Sequence, residues 1–154
     1  MKKLIIIRHG NYTGDDLDAE GIIQIESAAL KIGHTVDKLV CTNYPRTLQS
    51  AEIFMANLII SDTQIDRMDI KEYNNFSTDC DEFLNSLKVK YKNHDVVVLF
   101  CHAPNVSGLL GQLLIIRQEF KGSDKLRTIA IDGIVGRGEP FAIDFEEMTI
   151  RHFE

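Results

Sequence analysis

The sequence predicts an α/β protein in three layers, with a mostly parallel sheet covered by helices on both faces. Strand-like and helix-like segments alternate along the chain, which is typical of a parallel sheet. The segment Val96 to Phe100 is an unbroken apolar run, as expected for a central parallel strand buried on both faces. The C-terminal part suggests two strands that add an antiparallel edge. The whole chain has 154 residues, a length that fits one domain, residues 1–154.

The first strand and first helix follow from local patterns. Lys3 to Ile7 is apolar, rich in β-branched residues and soon followed by a glycine, so we expect a buried strand. After a polar loop, Asp18 precedes a segment with helical spacing, and Gly33 is placed to end that helix. The apolar face of this helix carries Ile22, Ile25, Ala29 and Ile32.

The middle of the chain continues the alternation. Val36 to Cys41 predicts a second strand, and Pro45 suits the first turn of the helix that follows. Gln64 to Met68 is a weaker third strand. Asp79 is placed to cap a further helix, whose buried residues would be Phe83, Leu84 and Leu87.

The last third of the chain predicts one helix and two strands. Pro104 opens a helix rich in Leu and Ile that extends through Ile116. Arg127 to Asp132 and Pro140 to Phe145 have the composition of two strands around a Gly-rich turn. Arg137 in that turn, and Lys121 before it, are placed to reach an anionic substrate from the rim of a site.

Composition and charge exclude several classes of function. The formal net charge of −6 argues against nonspecific binding to nucleic acid. No apolar run is long enough to span a bilayer, and the N-terminal apolar run is too short for a signal peptide, so we expect a cytoplasmic protein without a membrane partner. Three widely spaced cysteines favour reduced thiols over disulfides. No histidine or cysteine spacing indicates a metal site, and no cofactor is expected.

Two histidines each follow a strongly buried strand. Arg8, His9 and Gly10 come directly after the first strand, and His102 follows the run that ends at Phe100 and Cys101. Because parallel strands carry their C-terminal ends to the same edge of a sheet, we expect the two imidazoles to lie close together. A guanidinium beside an imidazole suits the binding of a phosphoryl group that a ring nitrogen can attack.

The chain carries four notable segments: Arg8-His9-Gly10, Leu17 to Gln24, Thr42 to Glu52 and Val97 to His102. Together they resemble the histidine phosphatase superfamily, which includes the phosphoglycerate-mutase-like enzymes. They occur in the family order, and Asp18 stands where the family commonly has a Thr cap. The second histidine is flanked by Cys101 and Ala103 in place of the usual Ser and Gly.

The resemblance implies roles for particular residues. His9 would be the nucleophile and form a phosphohistidine, and Arg8 and Arg46 would hold the phosphoryl oxygens through their planar guanidinium groups. His102 would be a further donor, most useful when protonated. This set neutralises the charge of the phosphoryl group without a metal. Backbone N–H groups from Ala103 onward, and the side chain of Asn11, are expected to contact the phosphate.

The general acid implied by the resemblance is Glu72, which follows the third predicted strand. The family glycine that follows this acid is missing here, Asp69 is a rival, and a solvated surface carboxylate is an equally good interpretation of Glu72. An alcohol leaving group needs its oxygen protonated, whereas a phosphohistidine substrate releases imidazole and depends less on an acid. The identity of the acid and that of the substrate are therefore linked.

These features favour a metal-independent phosphatase. Only a short segment separates the helix of Arg46 from the next predicted helix, which implies a small lid and resembles the short phosphohistidine phosphatases. The substrate would be a phosphorylated small molecule or a phosphoprotein. A phosphoglycerate-mutase-type phosphotransferase is one alternative, although it must exclude water from its intermediate. A non-catalytic phosphate-binding or protein-interaction module on the same fold is the other.

Overall fold

The centre of the fold is a six-stranded sheet, seen in a computed structural model that describes residues 1–33, 35–69 and 80–154. A separate hairpin of two short strands follows the first strand. The strands are β1 (Lys3–Arg8), β2 (Tyr12–Thr13), β3 (Asp16–Leu17), β4 (Lys38–Thr42), β5 (Ile65–Met68), β6 (Val96–Cys101), β7 (Pro140–Asp144) and β8 (Thr149–His152). The helices are α1 (Ala19–Ile32), α2 (Pro45–Ala56), α3 (Cys80–Lys90), α4 (Ala103–Gly111) and α5 (Asp124–Asp132).

The sheet is mostly parallel, as the sequence predicts. Its strand order is β5-β4-β6-β1-β7-β8. The first four of these strands run parallel to one another, and β7 and β8 are antiparallel additions at one edge. Within the described ranges, no helix is both long and apolar enough to cross a membrane.

Helices cover both faces of the sheet, because successive side chains of a strand point in opposite directions. Ile5 and Ile7 of β1 pack with the buried residues of α1 and α2 in one apolar cluster. Leu4 and Ile6 pack on the other face, with the buried residues of α3, α4 and α5. The α/β class with helices on both faces is thus confirmed.

The ends of α1 follow the sequence prediction. The Asp18 carboxylate accepts a hydrogen bond from the N–H of Gly21 at 2.9 Å, which satisfies one of the free donors of the first turn. Gly33 adopts a left-handed conformation with φ of 57°, and its N–H donates to the carbonyl of Ala29. Asp79, the predicted cap of the later helix, lies outside the described residues.

The segment Arg127 to Asp132 was predicted as a strand, and this prediction is wrong. These residues lie in α5, which begins after Ser123 and ends at Gly133. The Ser123 hydroxyl accepts from the N–H of Leu126, and Gly133 has a φ of 67°. The β-branched residues of this segment suggested a strand, but the cap at each end stabilises a helix.

The antiparallel edge exists, but its strands differ from those predicted. Pro140–Asp144 pairs with Thr149–His152 around the turn at residues 145–148, and the Gly-rich segment is instead a loop between α5 and β7. The helix predicted to run from Pro104 through Ile116 is α-helical only as far as Gly111. A π-helical turn, Gln112–Ile116, continues it.

The loop that follows His9 lies directly against the first turn of α1. A Cβ added to Gly10 would lie 2.5 Å from the carbonyl oxygen of Gly21, and one added to Gly21 would overlap the carbonyl of Asn11. Only hydrogen atoms fit between these two stretches of backbone. The two glycines therefore set the position of the loop that carries the candidate nucleophile.

We predict that Gly21→Ala lowers the free energy of unfolding by about 2 kcal/mol or more, because the backbone of the loop has to move away from α1. Urea unfolding followed by circular dichroism measures this change. Gly111→Ala is the control, since the nearest atom to its added Cβ is 3.9 Å away. Equal stability of Gly21→Ala and the wild type would contradict the close packing.

Candidate active site

The parallel pairing of β1 with β6 brings His9 and His102 together. Arg8 is opposite Cys101 in this pair, so each histidine is the next residue beyond the paired strands. The N–H of His9 donates to the carbonyl of Cys101 at 3.0 Å. The centroids of the two imidazole rings are 5.2 Å apart, and the ring planes are inclined by 65°.

The hydrogen bonds of His9 leave its Nε2 atom as an acceptor. Nδ1 is 2.8 Å from the carbonyl oxygen of Gly10 and must carry the proton, since a carbonyl oxygen can only accept. The Nε–H of Arg46 donates to Nε2 at 3.3 Å. The residue as a whole is 4% exposed. The lone pair that would attack a phosphorus atom therefore points toward a guanidinium group.

Two threonines orient His102. The hydroxyl of Thr47 donates to the carbonyl of Thr42, so the hydroxyl of Thr42 donates to Thr47 Oγ1 at 2.9 Å. Thr42 Oγ1 then accepts from Nε2–H of His102 at 3.0 Å. This arrangement places the proton of the neutral ring on Nε2, and the other side of the ring accepts from the backbone N–H of Asn105 at the start of α4.

Burial and nearby positive charge keep both histidines neutral. The pKa of His9 is lowered to about 4, mainly by burial and further by His102, Arg46 and Arg8, although the bond to the carbonyl of Gly10 acts in the opposite direction. Burial, Arg46 and Arg8 likewise lower the pKa of His102 to about 4. His102 is thus not an imidazolium near neutral pH, contrary to the expected protonated donor. A phosphate dianion bound beside it would raise its pKa.

Arg46 lies between two tyrosine rings. Its guanidinium carbon is 4.6 Å from the ring centre of Tyr12 and 4.7 Å from that of Tyr44. Tyr12 also makes an edge contact with His9, and Tyr44 makes one with His102, at centroid distances of 5.2 and 4.9 Å. Sequence reasoning missed both tyrosines. The available signal was their place next to the motifs, Tyr44 directly before Pro45 and Tyr12 two residues after Gly10.

Two further guanidinium groups have buried nitrogens without partners. Arg8 Nη1 donates to the carbonyl of Val135 at 2.7 Å, but Arg8 Nε is buried and makes no hydrogen bond to the described residues. The same holds for Nη1 of Arg137, whose guanidinium carbon is 5.0 Å from the ring centre of Tyr12. Burial and the charge of Arg137 lower the pKa of Arg8. Arg137 therefore lies close to Tyr12 and Arg8, and its contact with an anionic substrate stays a prediction.

The three site arginines lack carboxylate partners in the part of the chain that the structure describes. The ion pairs of arginine there involve Arg117 and Arg151. Positive charge thus accumulates around His9 in a protein whose net charge is −6. The arrangement is suited to binding an anion with several oxygen atoms, because guanidinium groups donate in a fixed planar geometry.

Three side chains of α1 and α2, those of Gln24, Gln49 and Ser50, form hydrogen bonds that position the loop after His9. The hydroxyl of Ser50 donates to the carbonyl of Arg46 at 2.7 Å and accepts from the N–H of Gly10 at 3.3 Å. Gln49 binds the N–H of Leu17 and the carboxylate of Asp16, while Gln24 accepts from the N–H of Asn11 at 2.8 Å. These bonds hold the loop that carries Tyr12 against both helices.

Asn11 and Ala103, the two residues predicted to contact phosphate, use their N–H donors in different ways. The side-chain amide of Asn11 donates to Asp18 at 2.7 Å and to Glu20 at 3.4 Å, so it is engaged at the start of α1. Ala103 directly follows His102 as the first residue of α4. Pro104 has no N–H, so Ala103 supplies the first backbone donor of this helix.

The remaining predicted residues lie elsewhere. Glu72 is outside the described residues, and its rival Asp69 is exposed. The expectation for Lys121 is wrong. Lys121 forms a β-bridge with Thr149, and Thr149 pairs with Asp144. Asp144 in turn lies opposite Lys3, which is at the end of β1 furthest from His9.

The cysteines and the metal-binding side chains add no second reactive centre among the residues described. Cys41, Cys80 and Cys101 are free and buried. Burial raises the pKa of Cys41 to about 11 and that of Cys101 to about 12, so both remain thiols at neutral pH. Within the described ranges, no three His, Cys, Asp or Glu side chains cluster as metal ligands would.

We predict that Arg46→Gln raises the pKa of both His9 and His102, because it removes a positive charge that disfavours the protonated rings. Both values should stay below 6.5, since burial is the largest cause of the shift. Titration of ¹⁵N-labelled histidines by NMR measures this effect. Arg151→Gln, an exposed change of the same charge, should leave both values unaltered. A wild-type value near 6.5 for either ring would contradict the electrostatic description.

Comparison with known proteins extends the fold assignment. No protein-family model and no curated protein matches the sequence. Among solved structures, a phosphoserine phosphatase from Entamoeba histolytica is 17% identical, with a TM-score of 0.65 over 100% of this chain and 96% of that one. A protein assigned as the phosphohistidine phosphatase SixA from Agrobacterium tumefaciens is 18% identical, with a TM-score of 0.65 over 99% and 96%.

An alpha-ribazole phosphatase from Shigella flexneri gives a similar result. It is 17% identical, with a TM-score of 0.63 over 97% of this chain and 94% of that one. These three proteins are named for three different substrates. At this level of identity they establish the fold of the chain, and they do not select a substrate.

Proposed function

We propose that this chain, whose fold is that of the histidine phosphatase superfamily, is a phosphatase that acts through a phosphohistidine formed on His9. The observation that carries the proposal is the state of His9. Its ring is buried and neutral, its Nδ1–H is fixed on a carbonyl oxygen, and its Nε2 lone pair lies among guanidinium groups. A neutral imidazole nitrogen is the nucleophile that attack on phosphorus requires.

In the first step, the oxygens of the phosphoryl group bind Arg8 and Arg46, and Arg46 gives up its bond to Nε2 of His9. Nε2 then attacks phosphorus from the side opposite the leaving group. The new N–P bond forms as the P–O or P–N bond to the leaving group breaks. Positioning and charge neutralisation supply most of the acceleration in phosphoryl transfer, and here arginine side chains supply both.

In the second step, water attacks the phosphorus of the phosphohistidine. The N–P bond breaks, inorganic phosphate is released, and Nε2 regains its lone pair. Thr42 and the backbone N–H of Asn105 hold the ring of His102 next to that of His9. The released phosphate keeps both protons of the attacking water, and the phosphate dianion raises the pKa of the neighbouring His102.

We propose a phosphorylated small molecule or a phosphoprotein as the substrate. A phosphoryl group is the part of such a substrate that Arg8, Arg46 and the two histidines are suited to bind. Related folds carry names that refer to phosphoserine, phosphohistidine and alpha-ribazole phosphate. No metal is required in this mechanism, since the arginines carry the positive charge that a metal would otherwise provide.

We predict that the wild type hydrolyses p-nitrophenyl phosphate without added metal and that chelator does not reduce the rate. His9→Ala should lower kcat by about 10³-fold or more, since the step that breaks the P–O bond loses its nucleophile. Release of p-nitrophenol, measured by absorbance, gives the rate. His94→Ala is the control, because His94 pairs with Asp62 away from the site.

Normal activity of His9→Ala would reject the nucleophile. A wild type without activity, which still binds inorganic phosphate, would favour the non-catalytic binding module. Transfer of the phosphoryl group to an acceptor alcohol at the expense of hydrolysis would favour the mutase-type alternative.

We also predict that Glu72→Gln slows the hydrolysis of alkyl phosphates far more than that of phosphohistidine peptides. An alkoxide leaves poorly without a proton, whereas imidazole leaves readily. Rates of phosphate release from the two classes of substrate, each measured in the wild type and in the variant, test this role. Asp69→Asn serves as the comparison, because Asp69 is the rival acid. Equal slowing of both substrate classes by Glu72→Gln would reject it as the general acid.

A further inference from the structure

The guanidinium group of Arg46 belongs to one continuous set of ring contacts. Each of four rings makes an edge contact with the next, at centroid distances of 5.2, 5.2 and 4.9 Å, in the order Tyr12, His9, His102 and Tyr44. The guanidinium carbon lies over the first and the last of these rings, 4.6 and 4.7 Å from their centres. The two tyrosines therefore contact both the arginine and the imidazoles of the site.

The two tyrosines are placed by their own backbone contacts, and both are partly buried. Tyr44 directly precedes α2, and its carbonyl accepts from the N–H of Leu48 in the first turn at 3.1 Å. Tyr12 pairs with Leu17 in the short hairpin of β2 and β3. The two rings therefore reach Arg46 from separate segments of the chain.

An aromatic partner leaves the hydrogen-bond donors of an arginine available. The face of an aromatic ring attracts a cation, and the N–H donors of a guanidinium lie in its plane and point outward from its edge. A carboxylate partner would instead occupy two of these donors and neutralise the charge. Among the described residues, Arg46 uses one donor, its Nε–H, on Nε2 of His9. Its charge and its remaining donors are thus suited to the oxygens of a phosphoryl group.

The ring contacts also limit the movement of the arginine side chain. Arginine has several rotatable bonds and loses much rotamer freedom when its guanidinium is held in one place. Ordering a side chain at the moment of binding weakens the affinity for a ligand. Because two rings already hold Arg46, this loss occurs during folding and not when an anion binds.

We propose that Tyr12 and Tyr44 are positioning residues, which hold Arg46 in the orientation that binds the transferred phosphoryl group. This inference rests on the proposed phosphatase function and adds two residues to its site. The tyrosines act through the guanidinium group of Arg46. The aromatic ring of each tyrosine, and not its hydroxyl, provides the effect, since the attraction for a cation comes from the face of the ring.

The experiment measures the affinity for inorganic phosphate by calorimetric titration, which does not depend on turnover. Tyr44 is the main position, because Tyr12 also lies 5.0 Å from the guanidinium carbon of Arg137. Tyr44→Leu should weaken phosphate binding about tenfold, since a ring that orders Arg46 is lost. Tyr44→Phe keeps the ring and is the matched control, with an affinity within about twofold of the wild type. Tyr12→Leu and Tyr12→Phe should follow the same order.

Two further measurements separate positioning from packing. In an Arg46→Gln background, adding Tyr44→Leu should change the phosphate affinity by about twofold or less, because the group that the ring positions is absent. The second measurement compares Tyr44→Phe with 3,4,5-trifluorophenylalanine at position 44. Fluorination withdraws negative charge from the ring face and changes the shape of the ring little. The fluorinated protein should therefore bind phosphate about threefold or more weakly than Tyr44→Phe.

Several results would overturn the inference. A leucine variant at either position that binds phosphate as tightly as the wild type, or more tightly, would show that its ring does not hold Arg46 for the anion. Equal weakening by Tyr44→Phe and Tyr44→Leu would assign the effect to the hydroxyl. A full tenfold loss in the Arg46→Gln background, or equal affinities of the fluorinated and unfluorinated rings, would assign it to packing.

The comparison of the two phenylalanine rings decides the matter even where Tyr44→Leu does not fold, because both proteins keep a ring at position 44. A wild type that does not bind phosphate would also overturn the inference. Failure of the phosphatase proposal is a separate result. It would appear as missing hydrolysis of p-nitrophenyl phosphate in a wild type that binds phosphate, with the order of affinities among the variants unchanged.

Discussion

The candidate site depends on the parallel register between β1 and β6. This pairing sets Arg8 opposite Cys101 and places the next residue of each strand, a histidine, at the same edge of the sheet. The rest of the site is built onto that edge. Helix α2 brings Arg46 to Nε2 of His9, and the loop before β7 brings Arg137 beside Arg8. A shift of one residue in the register would reverse the direction of one histidine side chain and separate the pair.

Burial and unpaired positive charge act together at this edge. Burial lowers the pKa of both imidazoles and keeps them neutral, and the nearby guanidinium groups lower these pKa values further. Arg8 Nε and Arg137 Nη1 are buried without hydrogen-bond acceptors among the described residues, which is unfavourable for folding. Such an arrangement favours the binding of an anion, because the oxygens of a phosphoryl group provide the hydrogen-bond acceptors that these two nitrogens lack. A preorganised site of this kind also loses little free energy to reorganisation during the reaction.

The sequence was sufficient for those parts of the fold that local patterns determine. The apolar runs of β1 and β6, the Asp18 cap and the Gly33 ending of α1 could all be predicted. The strand prediction for Arg127 to Asp132 failed because β-branched residues outweighed the caps at Ser123 and Gly133. The histidine pair followed from the parallel sheet, but Tyr12 and Tyr44 lie outside any periodic pattern. Asn11 was predicted to contact phosphate, but its side-chain amide donates to Asp18, a choice that only the packing of the loop determines.

The central claim is that Nε2 of His9 forms a covalent bond to phosphorus. Its most direct test is to mix the protein with a rapidly hydrolysed aryl phosphate, quench in alkali within milliseconds, and locate the phosphoryl group by mass spectrometry. Alkaline conditions are chosen because phosphoramidates are sensitive to acid. The account predicts one phosphoryl group on the peptide that contains His9, accumulating and decaying at rates compatible with turnover. Turnover accompanied by a phosphoryl group on another residue, or by no covalent intermediate under any quench time, would contradict it.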